Sequence, residues 1–323
     1  MEDLSLRRFP GRAAAYLLAI WFALMPLASR AETYWQVQQP PVIVIVEGDR
    51  DLAKAAAETV FRLRSAAHTF LSWPDSYREP QVLAFVVNER LLRRTFQFPP
   101  DLPGAYADFT ARHGTWGRTE SLTVVAASMG YERGREFRSL QRMYGEALVD
   151  AESSHDWPVC AKQGMTMVFT GAELTPPNHF YLPGSRVNGY PAFWNPEEVL
   201  TPTDGRTSQW LTDERGYSCY LLSFMIAAAT PEERLALERM LTAVGRGTPL
   251  TAATVAELHQ TLPEFTDRYR EFSRALRLSP KFHQVREDFP EQIPAMPEPS
   301  ALSGEQVRAL MEKLCTKLQN CRK

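Results

Sequence analysis

The chain has 323 residues, 44% of them hydrophobic, and carries 36 Lys and Arg against 38 Asp and Glu for a formal charge of −2. That length and apolar content provide for a sizeable core in one large or two closely packed domains. A near-neutral balance without an evident basic stripe argues against nucleic acid as the partner, and no apolar run beyond the N-terminal one approaches the ~20 residues of a membrane span.

In chain order, Arg7, Arg8 and Arg12 precede the apolar run 13–28, and Ser29-Arg30-Ala31 follows it. A basic start, a short apolar core and a small-x-Ala end predict a secretory signal peptide over 1–31, cleaved after Ala31, with localisation outside the cytoplasm, in a bacterial periplasm. An uncleaved N-terminal anchor is the competing reading. Cleavage removes four arginines and two acidic residues, leaving a mildly acidic chain with no span. The run VIVIV after Pro40-Pro41 predicts a strand whose start the prolines confine to an edge. The patterns that follow predict an amphipathic helix over 51–72, a strand over 81–87, a short helix near 89–96 and a strand over 121–126.

Residues 170–208 are rich in Pro, Gly and Asn and predict an extended loop. Its Phe180, Tyr181, Tyr190, Phe193 and Trp194 make either packing over the core, a hydrophobic lid or a partner surface. GRG at 245–247 predicts a helix-ending turn rather than a phosphate loop. Residues 286–302 are a Pro-rich linker. Ser303 and Gln306 then form a capping-box pair opening a helix over 303–323, whose stripe Val307, Leu310, Met311, Leu314 and Leu318 must be buried on the main body or in a partner.

The chemistry sits in 144–169, YGEALVDAESSHDWPVCAKQGMTMVF. A working H-E-x-x-H helix places two imidazoles four residues apart on one face, where both reach one zinc ion while the glutamate acts on the metal-bound water. Here the aligned residues are Gly145, Glu146, Ala147, Leu148 and Val149. Pro158-Val159-Cys160-Ala161-Lys162-Gln163-Gly164-Met165-Thr166 then resembles the P-x-W-x-x-E-G-x-A segment of the peptidase-MA-like gluzincins. Pro158 and Gly164 match it, and Cys160, Gln163 and Thr166 depart from it. Element order over roughly 33–275 also resembles that superfamily, including Ala111–Gly117 for its G-x-W/Y segment, 213–229 for the helix behind the metal site, and 230–250 with 254–272 for its terminal helices.

The resemblance implies an α+β, gluzincin-like fold: a small mixed or antiparallel sheet and an active-site helix in 32–150, followed by a mainly helical part in 151–285. It implies a degenerate member, with Gly145, Val149 and Gln163 at the metal-ligand positions and Glu146 as the remnant general base. A neutral amide at 163 is a poor zinc ligand beside a carboxylate. Glu146 alone has no metal-bound water to act on, and its bland role is an ion pair with Arg142 one turn back. The function implied is an inactive metallopeptidase-like domain without a cofactor, binding a peptide or protein partner by strand addition at an edge strand near 121–126. An active zinc hydrolase with unconventional ligands and a structural component of the cell envelope are the alternatives. No feature fixes an oligomeric state.

A second register, Ala151-Glu152-Ser153-Ser154-His155, leaves too little chain before Gln163 to turn and start a helix. The histidines His68, His113, His155, His179, His259 and His283 contain no i,i+4 pair, and no G-x-S-x-G occurs. Four cysteines in a secreted chain predict two disulfides, for which three connectivities exist. The resemblance, which packs the helix of Cys219 behind that of Cys160, favours Cys160–Cys219 and leaves Cys315–Cys321. The latter requires the last helix to end before Cys321.

Overall fold

The computed structural model describes residues 33–71, 81–88, 90–92, 114–118, 122–128, 137–152, 156–175, 179–184, 195–200, 214–279, 281, 283–288 and 293–318. Residues 1–31, where a signal peptide is expected, and His113, His155, Tyr190, Phe193, Trp194 and Cys321 lie outside them. The architecture is mixed α+β, built on a six-stranded mixed sheet with a second, three-stranded sheet beside it.

Strands β1 (Thr33–Gln39) and β2 (Val42–Glu47) form an antiparallel hairpin around Pro40-Pro41, whose peptide bond is cis. Helix α1 (Arg50–Phe70), capped by the Asp49 carboxylate on the Leu52 N–H at 2.8 Å, carries the chain to β3 (Gln81–Val87), which pairs in parallel with β2. Next come β4 (Gly114–Arg118) and β5 (Leu122–Ser128), an antiparallel pair of which β5 joins β3 in parallel. The expected helix near 89–96 is helical over 90–92, started by Asn88, whose side-chain oxygen accepts the Leu91 N–H at 2.8 Å; residues 89 and 93–96 lie outside the described residues.

The continuous apolar runs are explained by a sheet covered on both faces. Alternate residues divide between two cores: Val44, Val46, Val82, Ala84, Val86, Val125 and Ala127 face one, and Ile45, Leu83, Phe85, Val87, Val124 and Ala126 face the other. The first core is closed by α1 and by α2 (Arg138–Glu152). The second is closed by the C-terminal helix. Strand β9 (Ser300–Ser303) pairs antiparallel with β1 and runs straight into α9 (Gly304–Leu318), where the expected Ser303–Gln306 capping pair forms reciprocally at 2.8 and 3.2 Å. Val307, Met311 and Leu314 of the expected stripe are buried against that second face, with Leu310 packed beside them.

Between α2 and the C-terminal segment lie α3 (Val159–Gly171), α4 (Pro196–Leu200), α5 (Glu214–Ala227), α6 (Pro231–Gly245), α7 (Leu250–Leu258) and α8 (Leu262–Leu278). Both α6 and α8 open with a reciprocal Thr–Glu capping box and a proline in the first turn. The GRG turn ends α6 as expected. Gly247 takes φ +96°, and the N–H groups of Gly247 and Thr248 return to Val244 and Ala243 at 2.9 Å in a Schellman arrangement. Among the described residues no helix is long and apolar enough to cross a membrane.

Three expectations are corrected. The strand over 121–126 is not an edge: β5 is paired on both sides, Thr123 facing Val82 and Arg118, and among the described residues the outermost strand there is β4. The extended loop over 170–208 contains β6 (Glu173–Thr175), β7 (His179–Pro183) and α4. Strands β6, β7 and β8 (Gln284–Asp288) make the small sheet. The sequence hid β7 because only Phe180 and Leu182 alternate inward within a proline-flanked five-residue run, too short for a period to show. Phe180 is not a lid residue; it is fully buried with its ring 4.5 Å from that of Phe70. The linker over 286–302 begins and ends in strands, because it carries the chain from the small sheet to the edge of the large one.

Since α9 is what covers the second core, Met311→Ala should cost about 2–5 kcal/mol. Exposed Lys313→Ala should stay within about 0.5 kcal/mol. Urea unfolding of the two variants measures the difference.

Candidate functional site

Helices α2 and α3 are antiparallel neighbours, as three contacts fix: Arg138 Nη1 donates to the Thr170 carbonyl at 2.8 Å, Gly145 lies against Phe169, and Asp150 pairs with Lys162 at 3.5 Å. Their connecting turn is held from outside by the end of α6. Arg246 donates through Nε and Nη2 to the Asp156 carboxylate at 2.9 and 2.8 Å, and Trp157 Nε1 donates to Thr242 Oγ1 at 3.2 Å. Gly245 must be glycine here, because a Cβ would stand 1.1 Å from the Asp156 carbonyl oxygen.

On this frame Gly145 and Val149, the positions that the resemblance aligns with two histidines, are part of the packing. Gly145 is buried, and a Cβ on it would come within 3.2 Å of the Phe169 Cβ. Val149, one turn on, is buried in the first core. Gln163 is half-buried on α3. Glu146 does what its bland reading expects: its carboxylate lies 3.4 Å from Arg142 Nε, the two side chains 18% and 16% exposed.

Behind this pair, α3 meets α5 more closely than side chains permit. A Cβ on Gly164 would lie 2.2 Å from the Cys219 carbonyl oxygen and 2.4 Å from Ser223 Oγ. Ser223 in turn donates to the Ala161 carbonyl at 3.4 Å. The disulfide Cys160–Cys219, favoured from the resemblance, is formed there with both residues buried. Cys321 and the side chain of Cys315 are outside what is described, and α9 runs on past residue 315. Helix α8 closes the group from behind, Tyr269 donating its hydroxyl to the Ser218 carbonyl at 3.0 Å while burial pushes its pKa up.

The described histidines do not gather: His68 ends α1, His179 bonds Asp288, His259 caps α7 and His283 meets the Phe272 ring edge-on. Among the described residues no three His, Cys, Asp or Glu side chains are grouped to hold a metal ion. What the sequence reading missed is β4, the edge of the large sheet beside α2. Gly-Thr-Trp-Gly-Arg has no alternation to mark a strand, and only its glycine-bounded length could have signalled one. Compared with known proteins, the sequence matches no family model and no curated protein.

The two glycines should respond differently to the same change. At Gly145 the neighbour is a side chain that can yield, and the ~1 kcal/mol helix-propensity gain offsets the squeeze, so Gly145→Ala should lie within about 1 kcal/mol of wild type. Gly164→Ala meets backbone and should cost about 3 kcal/mol or more. Thermal unfolding reads both. The disulfide closes a loop with sequence separation 59, for which the chain-entropy model gives about 4 kcal/mol. Reductant should therefore leave the native protein oxidised and reduce it only with denaturant present, as thiol titration would show.

Proposed function

We propose that the chain is a secreted, gluzincin-like domain that has given up zinc catalysis and binds an extended segment of a peptide or protein partner. The observation that carries this reading is the fate of α2: the positions aligned with the two histidines are sealed into helix packing, while the carboxylate between them is held by Arg142. Supporting it, the helix lies beside a sheet edge. Strand β4 is antiparallel to β5, has no strand on its outer side among the described residues, and packs near α2. An edge of that kind can take up an extended chain through main-chain hydrogen bonds, with side-chain pockets adding selectivity.

The docking edge of this reading is therefore β4 rather than β5. A proline at Thr123 would break the interior of the sheet rather than its docking edge. The chain from Glu32 onward should carry no stoichiometric zinc by elemental analysis and should not cleave denatured casein. Peptides enriched on it from a random phage-displayed library should slow hydrogen exchange over 114–118, equally well in Glu146→Gln. One zinc per chain that is lost on mutating a histidine, or casein cleavage abolished by Glu146→Gln, would return the chain to the active metallohydrolases. Protection confined to another surface would remove β4 as the docking edge.

A further inference from the structure

The charge of the chain is close to balanced overall but not along its length. From 272 to 286 there are four cationic side chains, Arg274, Arg277, Lys281 and Arg286, and no Asp or Glu. All four are exposed. Arg286 lies over the Tyr181 ring at 5.3 Å, whereas Arg274, Arg277 and Lys281 point to solvent from the end of α8 and the turn after it. The carboxylates on either side are mostly engaged elsewhere: Asp267 with Arg270, Glu287 with Arg234, and Asp288 with His179. Exposed Glu271 lies one turn before Arg274. Amid these cations stands Leu278, 78% exposed, against 39% to 53% for the other exposed large hydrophobics.

Cations at a helix C-terminus complement its dipole, which accounts for one or two of them. It does not account for continuing the run past the helix, nor for setting an apolar side chain at the tip. A soluble anion or a nucleic acid would engage the cations alone. A phospholipid surface uses both, drawing in the cations by its negative potential and accepting the leucine between its headgroups. We propose that the end of α8 and the following turn are a peripheral contact site for an anionic phospholipid surface, with Arg274, Arg277 and Lys281 against the headgroups and Leu278 entering among them. This stands independently of the β4 groove.

The test is co-sedimentation of the chain from Glu32 onward, which leaves out the apolar 13–28 run, with phosphatidylcholine vesicles that are pure or contain one-third phosphatidylglycerol. Binding should require phosphatidylglycerol and fall with added salt. Combined Arg274→Gln, Arg277→Gln and Lys281→Gln should weaken it about a hundredfold, roughly fivefold per cation. Leu278→Ser should weaken it about tenfold. Arg274→Lys with Arg277→Lys keeps the charge and should keep the binding. The proposal fails if the vesicles are not bound, if pure phosphatidylcholine is bound equally, or if the lysine variant loses binding. It fails too if Leu278→Ser binds like wild type, an outcome that would identify a site for a soluble polyanion.

Discussion

The approach of α3 to α5 at Gly164 is the constraint on which the rest of the molecule is set. A carbonyl oxygen occupies the place of the missing Cβ, and one turn earlier the Cys160–Cys219 disulfide fixes the same two helices covalently. Two helices that touch backbone to backbone have no freedom to slide. With α3 so placed, Phe169 defines where Gly145 must lie, and Lys162 and the Thr170 carbonyl bring in Asp150 and Arg138 at the two ends of α2. Helix α2 in turn packs on β4 and β5. A close contact made far from the sheet edge therefore determines what that edge is next to.

The same geometry bears on chemistry. Two helices sharing a metal need ligand side chains in the space between them, and here that space is filled: a glycine against a phenylalanine, then a valine in the core. Ionic and hydrogen-bonded ties at both ends of α2 hold it to α3. The charged residues Arg138, Arg142, Glu146 and Asp150 repeat every four positions along α2, so they form one stripe on one face. Glu146 belongs to that stripe. Its carboxylate lies 3.4 Å from Arg142 of the same stripe.

How much of this was legible in the sequence depends on the range of the interaction. Strand β3 and the capping box of α9 were readable to the residue, and α1 and the GRG turn closely, because each is decided by side chains a few positions apart. The apolar stripe of α9 announced a covering role but not what it covers. That depends on β9 pairing with β1 across nearly the whole chain, and a four-residue strand after prolines has no pattern to show. The edge strand was misplaced for a related reason. Thr123-Val124-Val125-Ala126 has the composition of a strand, but composition does not say how many neighbours a strand has. In the candidate site, Glu146 and Arg142 were legible as an i,i+4 pair. The steric roles of Gly145 and Gly164 were not, since a glycine in a helix gives no sign of what approaches it.

Arg234 shows why the C-terminal segment returns along the body. From the first turn of α6 its guanidinium donates to the Thr69 carbonyl at the end of α1 and to the Ala227 and Ala229 carbonyls at the end of α5. It also pairs with Glu287 of β8 at 3.2 Å and lies 4.6 Å over the Phe70 ring. Its side chain is 6% exposed. A buried cation needs partners for its charge, and here carbonyls at two helix ends accept from Nη1 and Nη2, favoured by the helix dipoles, while Nε makes no hydrogen bond among the described residues. Glu287 adds the opposite charge, and so β8 is drawn to the point where α1 and α5 finish. The second charge contact along the route, Glu298 between Arg50 and Lys54, is largely exposed and contributes far less. The path from the small sheet to β9 and α9 is thus anchored at its buried end. The cover over the second face of the large sheet consequently depends on a charge cluster that lies in the first core's layer of helices, on the other side of that sheet.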